Sequence, residues 1–459
     1  MTSSTGTGDL SHSLLVDLYE LTMAVAYRAS GMADRPATFS LFVRTLPRTR
    51  GYLVAAGLDD ALHWLETFRF AAADLAVLDR LGLFTDDELA WLGGLRFTGA
   101  VRAVPEGTVV FADEPILEVD ASIAEAQLAE TFLLNQVTVQ TVLATKAARC
   151  RHAADGRAVV DFALRRSHGI DAGMKLSRVC RLVGIDATSN VAGAARYGLT
   201  ASGTMAHSYI EAHVDEATAF AEFAERFGER AVLLVDTYDT VRGVERAIDV
   251  ARELRERGGH IGAIRLDSGD LAALAHHARR RLDDAGLGDV HIFASGGLDE
   301  YEIDRLLRFE HAPIDGFGVG TSLGVSSDAP ALDSVYKLVA YDGRGVRKTS
   351  EGKATWPGAK QVWRTDGWRG DVLALRDETA PVPGAVPLLA TVMEAGRRIA
   401  DTSLEAAHDA FERQWAMMPV ALKDLTEPVA YDVEPSDALQ QLTAAVDAEH
   451  VHRTEDGQA

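Results

Sequence analysis

Arg265 and Asp267 stand two residues apart at the end of one apolar run, RLDSGD, and His207 ends another, GTMAHS. A guanidinium beside a carboxylate can hold a phosphate and a ribose hydroxyl together, or the carboxylate can take a metal. The same pair can equally be an ion pair at a rim. Imidazole is a competent covalent nucleophile, so phosphoryl transfer to His207 is feasible; a packed structural histidine is the alternative. Two later runs end in glycine: SGG, with Ser295, Gly296 and Gly297, and GVGTSLG, with Gly318, Gly320 and Thr321. Glycines let backbone N–H groups come close to phosphate oxygens, although either turn taken singly serves as a tight strand-to-helix connection. Phe162, followed by Arg165 and Arg166, offers an aromatic face and forked donors for a planar acid.

These groups share a context. Between Ala158 and Ser322 seven short apolar runs follow one another: AVVDF, IDATS, LTASGTM, AVLLVDT, IGAIRLDSGD, VHIFASGG and IDGFGVGTS. Most are separated by helix-length segments, such as 239–256 and 270–284. Near-continuous apolar strands alternating with helices predict a parallel sheet, and seven in succession favour an α/β barrel. Functional groups of such barrels gather at the carboxyl ends of the strands. There the sequence also places Thr188, Ser189, Asn190, Asp236, Asp239 and Asp270.

The flanking segments read differently. Residues 1–13 and 450–459 are expected to be loose tails, and 14–124 an α+β domain of irregularly mixed strands and helices. In it, Asp17 can cap a helix running to Ser30 that Gly31 ends. The barrel domain spans 125–330 and opens with one long helix from Glu125 to Arg151. The segment 331–449, strand-like and then helical, is expected to pack back on the N-terminal layer. Lys348, Lys353 and Lys360 lie in its Gly- and Trp-rich start, with no role legible.

Composition narrows the function. Acidic residues outnumber basic ones, 68 to 46, giving a formal charge of −22. That opposes general nucleic-acid binding and docking on an anionic membrane. Cys150 and Cys180 form no CxxC pair, so a thiolate zinc site is not expected. There is no HExxH, no Walker loop, no signal-peptide pattern and no apolar run approaching the ~20 residues of a membrane span. The expectation is a cytoplasmic α/β-barrel enzyme acting on a phosphorylated ribose-like ligand and a small acid.

Taken in order, LLVDLYELTMAVAYRASGMADRPATFSLFVRTLPRTRGYLVAAGL, DFALRRSHGIDAG, TSNVAGAARYG, GTMAHSYIEAH, LLVDTYDT, RLDSGDL, GFGVGTSLG and KTSEGKATWPGAKQVWR resemble the nicotinate phosphoribosyltransferases. The resemblance implies a type II phosphoribosyltransferase fold, an irregular seven-stranded α/β barrel beside an α+β layer built from both chain ends. It implies attack of nicotinate on C1 of phosphoribosyl pyrophosphate, with ATP hydrolysis coupled through a phosphorylated His207. Asp267 then serves the ribose hydroxyls, and Arg44, Arg265 and Mg²⁺ the pyrophosphate. Ser295, Gly296, Gly297, Gly318, Gly320 and Thr321 serve phosphate. Nicotinate would lie between Tyr19 and Phe162, with Arg165 and Ser189 near its carboxylate. The metal would be held mainly through substrate phosphates. A homodimer with shared sites follows, Tyr19 and Arg44 reaching into the partner's.

Ser189 separates the chain from the nicotinamide enzymes, which carry an Asp in its place. That Asp would repel a carboxylate, whereas Ser donates to one. The resembling enzymes for nicotinamide also place a Glu where Ala206 stands, leaving Glu211 and Asp236 as candidate orienters of His207. A decarboxylating quinolinate enzyme would call for further basic residues, and an aldolase for a strand-end lysine that none of the seven runs supplies. A non-catalytic protein on this scaffold is disfavoured by the intact His207, Asp267 and Arg265.

Overall fold

The computed structural model describes residues 11–185, 187–350 and 353–456. The chain divides into two compact units, 142–330 and the combination of 1–141 with 331–459. The division falls at Thr141, inside a long helix, rather than at residue 125.

In the unit 142–330 all seven apolar runs are strands of one sheet. Its spatial order is Thr200–Ala201, Ala187–Thr188, Ala158–Asp161, Gly316–Val319, His291–Ala294, Ala263–Leu266 and Val232–Leu234. Every pairing is parallel. The first strand in the chain lies beside the last, so the sheet curls into a barrel. Among the described residues the third and fourth strands do not pair, so the barrel is irregular and open there. Leu233, Ile264, Leu266, Ile292, Ala294, Phe317 and Val319 are buried, as expected of strands covered on both faces.

The intervening helices Thr240–Glu256 and Leu271–Asp284 begin where the sequence places them. Their starts also assign two of the strand-end carboxylates. Asp239 accepts from the Arg242 N–H and Asp270 from the Ala273 N–H, so both are N-caps, each satisfying an orphan donor of the first turn.

The other unit is mostly antiparallel, with one parallel pair between Asp371–Leu375 and Val433–Pro435, and is woven from both chain ends. Strand Pro36–Val43 is flanked by Pro115–Ser122 on one side and Ser334–Tyr341 on the other, in a seven-stranded sheet. Phe39 stacks on Tyr336 with ring centroids 4.8 Å apart, tying the two ends through the core. Glu118, wholly buried, accepts from Ser40, from the Lys360 N–H and from Arg376. The Lys360 ammonium lies 3.5 Å from the same carboxylate, so this lysine is a core ion partner.

Three local expectations change. The first helix, Leu18–Ala29, does start after Asp17, but the Asp17 side chain makes no cap and accepts from the Thr131 hydroxyl instead. The expected single helix from Glu125 to Arg151 is two, Ile123–Leu128 and Glu130–Ala153, separated at Ala129. Of the expected tails, residues 1–10 and 457–459 lie outside the described residues. Within the described residues, Ser13 is buried in the short turn His12–Leu14, and helix Asp437–Asp456 carries the backbone to residue 456. No described helix is long and apolar enough to cross a membrane.

Candidate active site

Arg265 organises the carboxyl ends of the barrel strands. Its Nη2 donates to Asp267 Oδ1 at 2.6 Å, its Nε to Ser295 Oγ at 2.7 Å, and its Nη1 to Thr204 Oγ1 at 2.8 Å. The guanidinium also sits over the Phe162 ring, 5.5 Å from the centroid. One arginine thus joins residues of four strand ends, with three of its edges used and its plane packed on an aromatic face.

Ser295 donates in turn to the Asp267 oxygen that receives Arg265. Partial burial would raise the Asp267 carboxyl. The Ser295 hydroxyl, the Arg265 guanidinium and nearby His207 outweigh it and hold the group below the usual carboxylate range. Asp267 is therefore a fixed anion with one oxygen, Oδ2, facing His207 Nε2 at 3.9 Å. His207 opens the short helix His207–Glu211 with its side chain 42% exposed, and its Nδ1 lies 3.1 Å from Thr237 Oγ1. The neighbour at Nδ1 is this hydroxyl, and neither Glu211 nor Asp236 takes that place. Asp236 accepts from Ser268 through Oδ2, while its buried Oδ1 makes no hydrogen bond.

The two glycine turns close a cavity of about 160 Å³ with these residues. Phe162, Arg165, Arg166, Arg265, Asp267, Ser295, Gly296, Gly297, Gly318, Gly320 and Thr321 all line it. Two of the glycines are demanded by the site itself. A Cβ on Gly296, whose φ is +89°, would stand 1.8 Å from the Asp267 carbonyl oxygen, and one on Gly318 would stand 2.5 Å from the Phe162 ring. Among the described residues, the N–H groups of Gly296, Gly297, Gly320 and Thr321 donate to no backbone carbonyl. The arrangement supplies uncommitted amide donors beside a fixed carboxylate and an arginine, the equipment for a phosphorylated sugar. Arg165 and Arg166 are exposed on the same cavity.

Beneath Phe162 lies a polar knot. Asp161, buried, accepts from Thr188 Oγ1 at 2.7 Å, the Ala163 N–H at 2.8 Å and Ser177 Oγ at 3.3 Å. Burial lifts its carboxyl above the ordinary range despite those bonds. Asn190 caps helix Val191–Tyr197 and is likewise buried. Ser189, between them, is half-buried, gives its N–H to the Asp161 carbonyl at 2.8 Å, and does not line the cavity.

Tyr19 and Arg44 belong to the other compact unit. Tyr19 is 44% exposed on helix Leu18–Ala29, and burial of its hydroxyl with Glu130 and Glu20 close by raises its phenol. Arg44 follows strand Pro36–Val43, pairs with Asp333 at 3.4 Å, and lines a second cavity with Arg48 and Arg50. Thr204 and Thr237 are functional neighbours that sequence reading missed. Thr237 directly follows Asp236 and Thr204 stands three residues before His207, but nothing in a threonine's type marks which side chain it meets. Among the described residues, no three His, Cys, Asp or Glu side chains form a metal cluster.

Comparison with known proteins agrees with this architecture. The family model for the nicotinate phosphoribosyltransferase N-terminal domain matches residues 14–138, and that for the nicotinate phosphoribosyltransferase family matches 158–350. A nicotinate phosphoribosyltransferase of Mycobacterium tuberculosis is 50% identical over 433 residues, 93% of this chain and 92% of that protein. One from Bacillus subtilis is 45% identical over 386 residues, 81% and 78% of the two chains. The crystal structure of human nicotinic acid phosphoribosyltransferase superposes with a TM-score of 0.80 at 28% identity, covering 94% of this chain and 99% of the human one. Two family models spanning most of the sequence and half-identical relatives of matching length make this chain a member of the nicotinate phosphoribosyltransferase family.

Proposed function

We propose that the chain transfers the phosphoribosyl group of phosphoribosyl pyrophosphate to nicotinate, giving nicotinate mononucleotide and pyrophosphate. ATP is consumed to ADP and phosphate by way of phosphorylated His207. The observation that carries the reading is the single cavity on which Arg265, Asp267 and both glycine turns converge.

The pyridine nitrogen attacks C1 as the C1–O bond to pyrophosphate breaks, and positive charge builds on the ribose. Asp267, already ionised and held by Arg265 and Ser295, faces that charge without reorganising, which is how a preorganised site lowers a barrier. Amide donors of the glycine turns hold the 5′-phosphate. Arg265 and Arg44 draw the leaving pyrophosphate, and Arg165 and Ser189 select the carboxylate of nicotinate against Phe162 and Tyr19.

His207 Nδ1 is engaged by Thr237, so Nε2 is the nucleophile toward the γ-phosphoryl group of ATP. ADP departs, and the phosphoramidate is later hydrolysed to imidazole and phosphate. Magnesium suits oxygen donors. It would be held mainly through the substrate phosphates, with Asp236, whose Oδ1 makes no hydrogen bond, as the protein's candidate oxygen donor. When bound it supplies charge neutralisation on the leaving group. We assign the reaction to the cytoplasm and to a homodimer in which Tyr19 and Arg44 serve the partner's site. The test is product analysis with nicotinate or nicotinamide, each with phosphoribosyl pyrophosphate, with and without ATP. Nicotinate mononucleotide formed from nicotinate alone supports the reading, and preference for the amide overturns it.

A further inference from the structure

We propose that Lys146, a residue outside the cavity, is a positioning residue that sets the spacing of the two glycine turns for the 5′-phosphate. The inference rests on the reading that these turns hold a phosphate. Lys146 lies on helix Glu130–Ala153 and its side chain is wholly buried. Its ammonium contacts two anions, pairing with Glu300 and lying 2.8 Å from Asp328 Oδ1.

Each anion belongs to one turn. Glu300, also wholly buried, opens the helix Glu300–Asp304 that follows the Ser295–Gly297 turn, and Asp299 caps that helix by accepting from the Tyr301 and Glu302 N–H groups. Asp328 follows the helix Thr321–Val325 that carries the second turn. The chain between is tied down. The Ser327 N–H donates to the Ser322 carbonyl at 3.2 Å, the Ala329 N–H to the Ser326 carbonyl at 2.8 Å, and Ser326 Oγ to the Ala329 carbonyl at 2.9 Å. Ser326 is buried with φ +46°, a left-handed backbone that a non-glycine residue keeps only when its surroundings enforce it. One turn along the long helix, Arg149 gives Nε to Glu300 Oε1 at 2.9 Å and Nη2 to the Tyr301 hydroxyl at 3.0 Å.

A single ammonium is therefore shared by the anions that follow both turns, over short hydrogen-bonded stretches of backbone. Stability alone is a poor reason for the cluster, since well-packed apolar residues commonly replace buried ion groups at no loss. Holding two backbone segments at one separation is what a shared ion does and an apolar side chain does not.

Asp328→Asn loosens one arm and leaves the Lys146–Glu300 pair intact; Lys146→Met removes both. The readouts are steady-state kinetics and calorimetric titration with ribose 5-phosphate and, separately, with nicotinate. In Asp328→Asn, KM for phosphoribosyl pyrophosphate and Kd for ribose 5-phosphate should rise roughly tenfold, with both nicotinate constants within about twofold of wild type. Asp328→Glu should recover part of the loss. Unchanged phosphate-ligand constants in a folded Asp328→Asn protein, or equal weakening of both substrates, overturn the clamp. If Lys146→Met does not fold, Asp328→Asn decides alone. Wild-type protein that fails to bind ribose 5-phosphate overturns the phosphate reading itself, and the clamp with it.

Discussion

Asp267 turns one carboxylate oxygen, Oδ2, toward His207 Nε2 at 3.9 Å, while its other oxygen is taken by Arg265 and Ser295. The carboxylate proposed for the ribose and the imidazole proposed to accept the phosphoryl group thus face each other, although the strands that carry them, Ala263–Leu266 and Thr200–Ala201, do not pair. A change of charge on one is felt by the other, so the phosphorylation proposed for His207 would act directly on Asp267.

Asp267→Asn keeps the shape and the Arg265 contact but removes the fixed negative charge. kcat with nicotinate should fall on the order of 10²–10³-fold, the scale of losing one preorganised electrostatic group. Circular dichroism should remain native. Near-wild-type kcat in this variant would remove Asp267 from the reacting centre.

The two glycines of the first turn should respond differently. In Gly296→Ala the methyl collides with the Asp267 carbonyl oxygen, so the turn must move and turnover should collapse. In Gly297→Ala nothing lies within 4 Å of the added carbon, and the φ of +69° is the only penalty, about 1–2 kcal/mol of stability. Steady-state rates and thermal melts of the pair separate collision from backbone strain.

Ser189→Asp tests acid-over-amide selection. The added carboxylate should lower kcat/KM for nicotinate by on the order of 1–3 kcal/mol, the scale of a repelled or unpaired charged hydrogen bond. Ser189 does not line the cavity in this structure, so unaltered nicotinate kinetics would move selection to Arg165.

Stability should also depend on pH through Glu20. Its buried carboxyl is pushed up to about 7 by desolvation, against hydrogen bonds from Thr131. The folded state therefore keeps a proton that the unfolded chain releases near pH 4.3. The group's contribution is full below about pH 4.3 and is lost as pH rises through about 7. Glu20→Gln retains an acceptor for Thr131 without the charge, and should flatten the denaturation midpoint across that window. A midpoint profile identical to wild type would show that Glu20 is ionised throughout.

The barrel is legible in the sequence because its strands are short, apolar and bounded by polar or glycine residues. All seven runs from Ala158 to Ser322 are strands. The strand-end rule likewise gathers Phe162, Arg265, Asp267, Ser295 and the glycines on one cavity. What it cannot do is separate capping carboxylates from free ones. Asp239 and Asp270 stand at strand ends like Asp267, yet each is spent on a helix N-terminus. Thr237 beside His207 and the Lys146–Glu300–Asp328 cluster depend on contacts between residues far apart in the chain, which periodicity does not encode. In the mostly antiparallel unit, strands of two residues such as Leu53–Val54 are too short to carry a pattern.

The proposed homodimer with shared sites is tested by a mixing experiment. A Tyr19→Ala, Arg44→Ala chain and an Asp267→Ala chain, each inactive alone, should regain partial activity when refolded together into verified heterodimers. Verified heterodimers that stay inactive would confine each site to one chain.

The pairing of His207 with Asp267 is tested most directly by the fate of labelled γ-phosphate. Incubating wild-type protein with γ-labelled ATP and magnesium should give acid-labile, base-stable label approaching one per chain, the behaviour of a phosphoramidate. His207→Asn should take up none and lose ATP hydrolysis, while keeping slow ATP-independent transfer because Asp267 and the glycine turns remain. Addition of phosphoribosyl pyrophosphate and nicotinate to labelled wild-type protein should release the label as phosphate together with nicotinate mononucleotide. Undiminished label in His207→Asn, with ATP hydrolysis still coupled to product, would contradict the assignment and leave His207 a structural residue.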